Sequence, residues 1–289
     1  MSEQHPPDAE LTVPHEAPNP LLIIVMGPAS WLVFLLPVLL TACADVSLTL
    51  DGHPPSPPNP LRAHPPAGSL STSLMIFLFG KSTVGQDVAA SLSLPFIDGD
   101  SLHPSSNIDK MSHGIPLTDD DRLPWLALIR STGERVCKEE YEKCGGKFKS
   151  VKEGGLGRAG VVIACSALRK WYRDILRGEV AANPPPVNDL PPAHPTATEA
   201  KQVHHPATSS LETIFVYCQG TPELLHARIA ARKGHFMGAQ MLASQLATLE
   251  DPVGEKGVVA VNIDGSREEV GDGAVSGVRK LLGLEQGKV

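Results

Sequence analysis

Proline placement constrains this chain more than any other feature. Of its 27 prolines, five lie in residues 1–20, seven in 51–66 and seven in 183–206. Each proline fixes φ and removes a backbone donor, so neither a helix interior nor a central strand survives that density. The 289 residues therefore cannot form one uninterrupted fold. They read as a folded core broken by three irregular stretches, with enough chain to bury a sizeable interior.

Between those stretches, short apolar runs alternate with helical patterns. LLIIVM (21–26), LPFID (94–98), GVVIACSAL (160–168), TIFVYC (213–218) and VVAVNID (258–264) read as buried strands. STVGQDVAASL (82–92) carries Val84, Val88 and Leu92 at helical spacing. Residues 118–144 open with a Thr/Asp cap and an acidic first turn, a helix start. RKWYRDILRG (169–178) predicts a basic helix stopped by Gly178, TPELLHARIAARKG (221–234) a helix with Pro222 in its first turn, and the segment from Glu268 a last helix. Strands alternating with helices imply βαβ units and a parallel sheet covered on both faces.

Net charge is −7, from 25 Lys and Arg against 32 Asp and Glu, which argues against a dedicated nucleic-acid binder. Five widely spaced cysteines without a C-x-x-C give neither a disulfide framework nor a zinc site, so a reducing, cytoplasmic compartment is the default. Residues 21–44 are uncharged and long enough to span a bilayer. Against that reading, no Lys or Arg precedes Arg62, and Gly27, Pro28, Ser30 and Pro37 interrupt the run. A strand followed by a phosphate loop accounts better for its first half.

That loop is the sharpest motif. FGKSTVG (79–85) follows an apolar run and opens a helix, as the second half of a P-loop does. In a P-loop, backbone N–H groups of the Gly-rich turn cradle phosphates, a lysine reaches them and a hydroxyl meets Mg²⁺. Here Gly80, Lys81, Ser82 and Thr83 would play those parts. The first glycine should stand five residues before Gly80, but that position is Met75. The missing half lies upstream, where LLIIVMGPAS (21–30) is a strand ending at Gly27. Joined through one residue, the halves read G-P-A-S-x-G-K-S-T. Residues 31–79 occupy the place of that one residue. They are either a genuine loop that leaves and re-enters the phosphate nest, or non-coding sequence retained in the reading frame.

FIDGDSLHPSSNIDKMSHGIPLTDDDRLPW (96–125) follows the second strand. Asp98 and Asp100, at a strand's C-terminal end, would face the P-loop across the sheet crevice. One suits Mg²⁺ through water and the other a substrate hydroxyl; a solvated Asp/Gly/Ser turn is the bland alternative. His103, Asn107, Lys110 and Arg122 add polar groups suited to a polyhydroxylated acid. Cys165, at a strand end, reads as a core residue rather than a nucleophile.

Together these blocks resemble the gluconokinase family, small P-loop kinases related in fold to shikimate kinase. The matching segments are GPAS…GKSTVG, the run from Asp98 to Leu126, VVIACSALRKWYRDILRG and ARKGHFMGAQMLASQLATLEDP. The resemblance implies a three-layer α/β/α P-loop kinase with a central parallel sheet. It would be formed by residues 21–30 and 80–284, behind a disordered tail at 1–20, with insertions at 31–79 and 181–210. It implies transfer of the γ-phosphoryl of ATP to D-gluconate, with Mg²⁺, by a cytoplasmic enzyme; a homodimer is compatible with it.

Carried over, Lys81, Ser82, Thr83, Gly27 and Gly80 would bind nucleotide phosphates, with Ser82 and Asp98 on the metal. Asp100 would take the acceptor hydroxyl, beside His103 and Lys110. Arg122 and Arg169 suit a carboxylate or the moving phosphoryl group, because a guanidinium fork pairs either bidentately. Arg228 and Arg232 would stabilise charge from a lid at 231–236. The competing readings are an inactive or membrane-tethered relative with a broken P-loop, and a kinase for another small hydroxy acid or a nucleotide.

Overall fold

The computed structural model describes residues 18–28, 80–153, 155–191, 211–230 and 238–284. The tail at 1–17 and the whole of the insertion at 31–79 fall outside them. Strand β1 (Leu21–Met26) is buried along its whole length. It pairs in parallel with β3 (Gly160–Ala164) on one edge and β4 (Glu212–Gln219) on the other. Strand β2 (Phe96–Asp98) adds to β3, and β5 (Val258–Asn262) to β4, giving the all-parallel order β2-β3-β1-β4-β5.

Why β1 reads as a continuous apolar run follows from its place. Leu22, Ile24 and Met26 pack with one cluster, and Leu21, Ile23 and Val25 with another. The first face is covered by α3 (Asp119–Lys143) and α4 (Lys170–Arg177), through Trp125, Leu126, Ile129, Tyr172 and Leu176. The second is covered by α1 (Lys81–Leu92), through Val84 and Val88, and by α7 (Arg267–Leu281), through Val270 and Ala274. A strand buried on both faces has no polar alternation to show. The predicted three-layer α/β/α architecture is therefore present. Residues 21–26 are a central strand rather than the start of a membrane helix, and among the described residues no helix is long and apolar enough to cross a membrane.

Helix boundaries follow their chemistry. Thr118 and Asp121 close a capping box on α3, and Ser266 and Glu269 close one on α7. Gly178, at φ 82°, ends α4 in the left-handed conformation that glycine adopts without penalty. Two further helices were not read from sequence: α2 (Ser105–Ser112), which buries only Asn107 and Met111, and α6 (Gly238–Thr248). Helix α5 spans Pro222–Ala230, and the remainder of the predicted 221–234 helix lies outside the described residues. The start of the Pro-rich insertion is anchored: Asp189 accepts from the Ser106 backbone N–H at 2.8 Å and its hydroxyl at 2.6 Å, at the head of α2. Residues 192–210 lie outside the described set.

Strand β3 stops at Ala164, earlier than the 160–168 expected, because the chain turns at Ala167 with φ 35°. Arg173 holds that turn. Fully buried, it donates from Nη1 to the carbonyls of Ala167 at 2.9 Å and Leu168 at 3.0 Å. Its Nε donates to Glu255 Oε2 at 3.0 Å, and Arg177 Nη2 reaches the same oxygen at 2.9 Å. The basic helix at 169–178 is thus not a solvated face.

Burial opposes ionisation of Glu255, but hydrogen bonds and charge from Arg173 and Arg177 outweigh it and hold its carboxyl below the usual range. A depressed carboxylate stabilises the fold above its unfolded-state pKa and loses that contribution as pH falls through the folded value. Arg173→Ala should lower the unfolding free energy by about 3–5 kcal/mol at neutral pH, the usual effect of breaking a buried ion pair from one side. Urea denaturation measures it. The difference between wild type and Glu255→Gln should shrink as pH drops below the ordinary glutamate value of 4.5.

Candidate active site

In an open parallel sheet, ligands bind beyond the C-terminal strand ends, where the strand order changes direction. Here that place is the end of β1, from which the chain runs first to the β2–β3 side and later to β4–β5. Gly27 stands there with φ 142°, and a Cβ on it would lie 3.0 Å from the Cys218 carbonyl at the end of β4. Lys81, buried in the first turn of α1, acts electrostatically on the Cys218 thiol, on Cys165 just beyond β3 and on Asp100. The halves of the interrupted motif therefore converge on the same strand ends. Gly80 is the N-cap of α1 and makes no side-chain cap, so the N–H groups of Lys81, Ser82 and Thr83 open the helix without intrahelical acceptors.

Asp98 ties this corner together. Its Oδ2 accepts the Ser82 hydroxyl at 2.9 Å, and its Oδ1 accepts the backbone N–H of Asp100 at 3.1 Å. Between the two carboxylates sits Gly99, where a Cβ would lie 2.3 Å from the Ala164 carbonyl. Only glycine lets the turn press that closely on β3. Burial, reinforced by the charge of Asp98, raises Asp100 from 3.8 to about 6 against the opposing pull of Lys81. Cys165 is fully buried, and burial pushes its thiol up to about 12, which suits the packing role read from sequence.

His103 ends the short 3₁₀ turn Gly99–Leu102 and stacks on Trp125, with ring centroids 4.0 Å apart. The Trp125 indole N–H donates to the Gly99 carbonyl at 2.9 Å, so α3 braces the turn carrying both carboxylates. Burial, aided by the Arg122 charge, lowers His103 to about 3, leaving it neutral near pH 7. Asn107 Nδ2 lies 3.3 Å from His103 Nδ1 and donates to the Asp121 carbonyl at 2.9 Å. An amide donor there assigns the imidazole proton to Nε2.

The arginines form a second wall. Arg122 Nη1 donates to the Tyr172 hydroxyl at 3.3 Å and lies 3.8 Å from Asp119 Oδ1. Arg169 Nη1 lies 3.1 Å from Asp119 Oδ2, and the Tyr172 hydroxyl donates to Asp119 Oδ1. Lys110, expected on the substrate, is held in an ion pair with Asp121 at 2.6 Å. Arg228 is buried, donating to the Ile263 carbonyl beyond β5. Arg232 lies outside the described residues.

Sequence reasoning missed Asp119, Tyr172, Trp125 and Glu250. Glu250 follows α6 and brackets Arg169: its N–H donates to the Leu168 carbonyl at 2.9 Å, and its carboxylate accepts the Lys170 N–H at 2.6 Å. The acidic first turn of α3 was visible, but as a helix signal. The position of Glu250 in LEDP carried no signal of its partner.

No protein-family model matches the chain. A probable gluconokinase from Schizosaccharomyces pombe is 34% identical over 204 residues, which are 70% of this chain and 84% of that protein. The thermosensitive gluconokinase of Escherichia coli is 38% identical over 64% of this chain and 74% of its own length. The thermoresistant gluconokinase of the same organism is 33% identical over 70% and 88% respectively. The crystal structure of a gluconokinase from Sinorhizobium meliloti superposes with a TM-score of 0.51 at 28% identity, covering 92% of this chain and 95% of that one. On sequence, on length covered and on fold, the chain belongs to the gluconokinase family.

Proposed function

We propose that the site transfers the γ-phosphoryl group of ATP to the 6-hydroxyl of D-gluconate in the cytoplasm, and that the residues divided between its two walls carry the two substrates. The observation that carries this reading is the corner where Ser82 binds Asp98 while Asp98 orients Asp100 beside Lys81. Family membership supplies the acceptor class.

Lys81 and the first-turn N–H groups of α1 bind and orient the nucleotide phosphates, with Gly27 allowing close approach of the backbone. A hydroxyl and a carboxylate 2.9 Å apart are oxygen donors of the kind Mg²⁺ takes. When bound there through Ser82 and Asp98, Mg²⁺ would neutralise phosphate charge.

Asp100, raised towards neutrality and directed by its neighbours, accepts the proton of the acceptor hydroxyl. That hydroxyl oxygen bonds to the γ-phosphorus, the bond from phosphorus to the β–γ bridging oxygen breaks, and ADP leaves. His103, neutral with a proton on Nε2, donates to an acceptor oxygen, and Arg122 and Arg169 receive the carboxylate. Arg228 and Arg232 serve the nucleotide side, and Lys110 supports the acceptor wall through Asp121. Positioning and charge neutralisation do the chemistry, with no covalent intermediate.

Coupled ADP release should respond to D-gluconate and not to shikimate or nucleoside monophosphates, in the full chain or in a variant lacking 32–79 that restores the contiguous loop; silence of both towards gluconate would sink the reading. Lys81→Ala should lower kcat by roughly a hundred- to a thousandfold, as loss of a charge-stabilising donor does. In the pH profile of kcat/KM for gluconate, activity should fall on the acid side with an apparent pKa near 6, as Asp100 becomes protonated and can no longer accept a proton. Asp100→Asn should abolish that limb together with most turnover.

A further inference from the structure

Asp119 occupies an unusual position for a first-turn acidic residue. The cap of α3 is already complete without it, because Thr118 and Asp121 exchange both capping-box hydrogen bonds. Asp119 instead reaches across to α4, where its oxygens meet Arg169 at 3.1 Å and the Tyr172 hydroxyl, and it lies 3.8 Å from Arg122 one turn along α3. A carboxylate lying between two guanidiniums occupies the kind of contact that an acidic substrate would make.

The charges of this wall can be counted. Arg122 and Arg169 contribute two positive charges and Asp119 one negative. Lys110 is balanced by Asp121, and Lys170 by Asp174. Burial and the bond to Asp119 push the Tyr172 hydroxyl up to about 12, and burial keeps His103 uncharged near pH 7, so neither alters the sum. Glu250, whose carboxylate accepts the Lys170 N–H beside Arg169, adds a second negative charge and brings the wall close to neutral. We propose that Asp119 is a specificity-determining residue that holds the acceptor wall near neutrality, so that the wall takes a monoanionic hydroxy acid and disfavours dianionic ones. The inference rests on the acceptor reading given above.

The test compares the KM for D-gluconate with the inhibition constant for D-glucarate, which carries a second carboxylate at the position of the reacting hydroxyl. Asp119→Asn should tighten glucarate by about two- to fivefold relative to gluconate, the scale of one partly exposed charge contact. Asp119→Glu keeps the charge and should keep the wild-type ratio. A ratio unchanged in Asp119→Asn, or both acids shifting together, would overturn the proposal. Should Asp119→Asn lack a cooperative unfolding transition, Arg169→Gln removes a positive charge from the same wall and must move the ratio the other way. An unmoved ratio there overturns it equally. Wild type that fails to turn over gluconate would remove the underlying reading; turnover with an unmoved ratio would remove this inference alone.

Discussion

Everything in this molecule is hung from the double pairing of β1. Leu21–Met26 is hydrogen-bonded on both edges and covered on both faces, so its six side chains divide between two cores. Parallel strands must each return by a crossover, and those crossovers place α3 and α4 on one face and α1 on the other, where the helix after β5, α7, packs beside it. Because β1 is central and the chain leaves it in both directions, its C-terminal end is the one point that every layer borders. Gly27 packs there against Cys218, on whose thiol Lys81 also acts, and Asp98 reaches the same corner from the outer strand β2 through Ser82.

Charge is arranged around that point in two groups. Lys81, Asp98 and Asp100 form the inner one, in which burial raises Asp100 and Lys81 limits the rise. Arg122, Arg169 and Asp119 form the outer one, spread over α3 and the N-terminus of α4. Trp125 joins them mechanically, stacking on His103 while its indole holds the Gly99 carbonyl. Buried polar groups of this kind are costly unless each is paired, and the pairing fixes their geometry.

Much of this was legible in the chain. The strands show as β-branched apolar runs because burial on two faces leaves no other composition, and the helix starts show as caps with acidic turns. The carboxylate pair and the GKST turn show because their chemistry depends on local spacing. What was hidden depends on partners far apart in sequence. Arg173 looks like one more cation in a basic helix, yet it closes the Ala167 turn and binds Glu255. Asp119 looks like a helix-dipole residue, yet it bridges two arginines. Helix α2 buries too little to produce an apolar period, and Ala167 ends β3 through a backbone angle that no residue type announces.

The central strand has a further consequence for assembly of the chain. Leu21 pairs with Gly160 on one side and Glu212 on the other, so β1, the first of the described strands to be synthesised, is completed only when β4 has emerged. Contacts of such sequence separation close slowly, because the entropy of bringing distant segments together comes before the bonds that reward it. Until then an apolar strand with two unpaired edges is available to any neighbour. The strand that organises the finished kinase is, during its birth, the part most in need of protection.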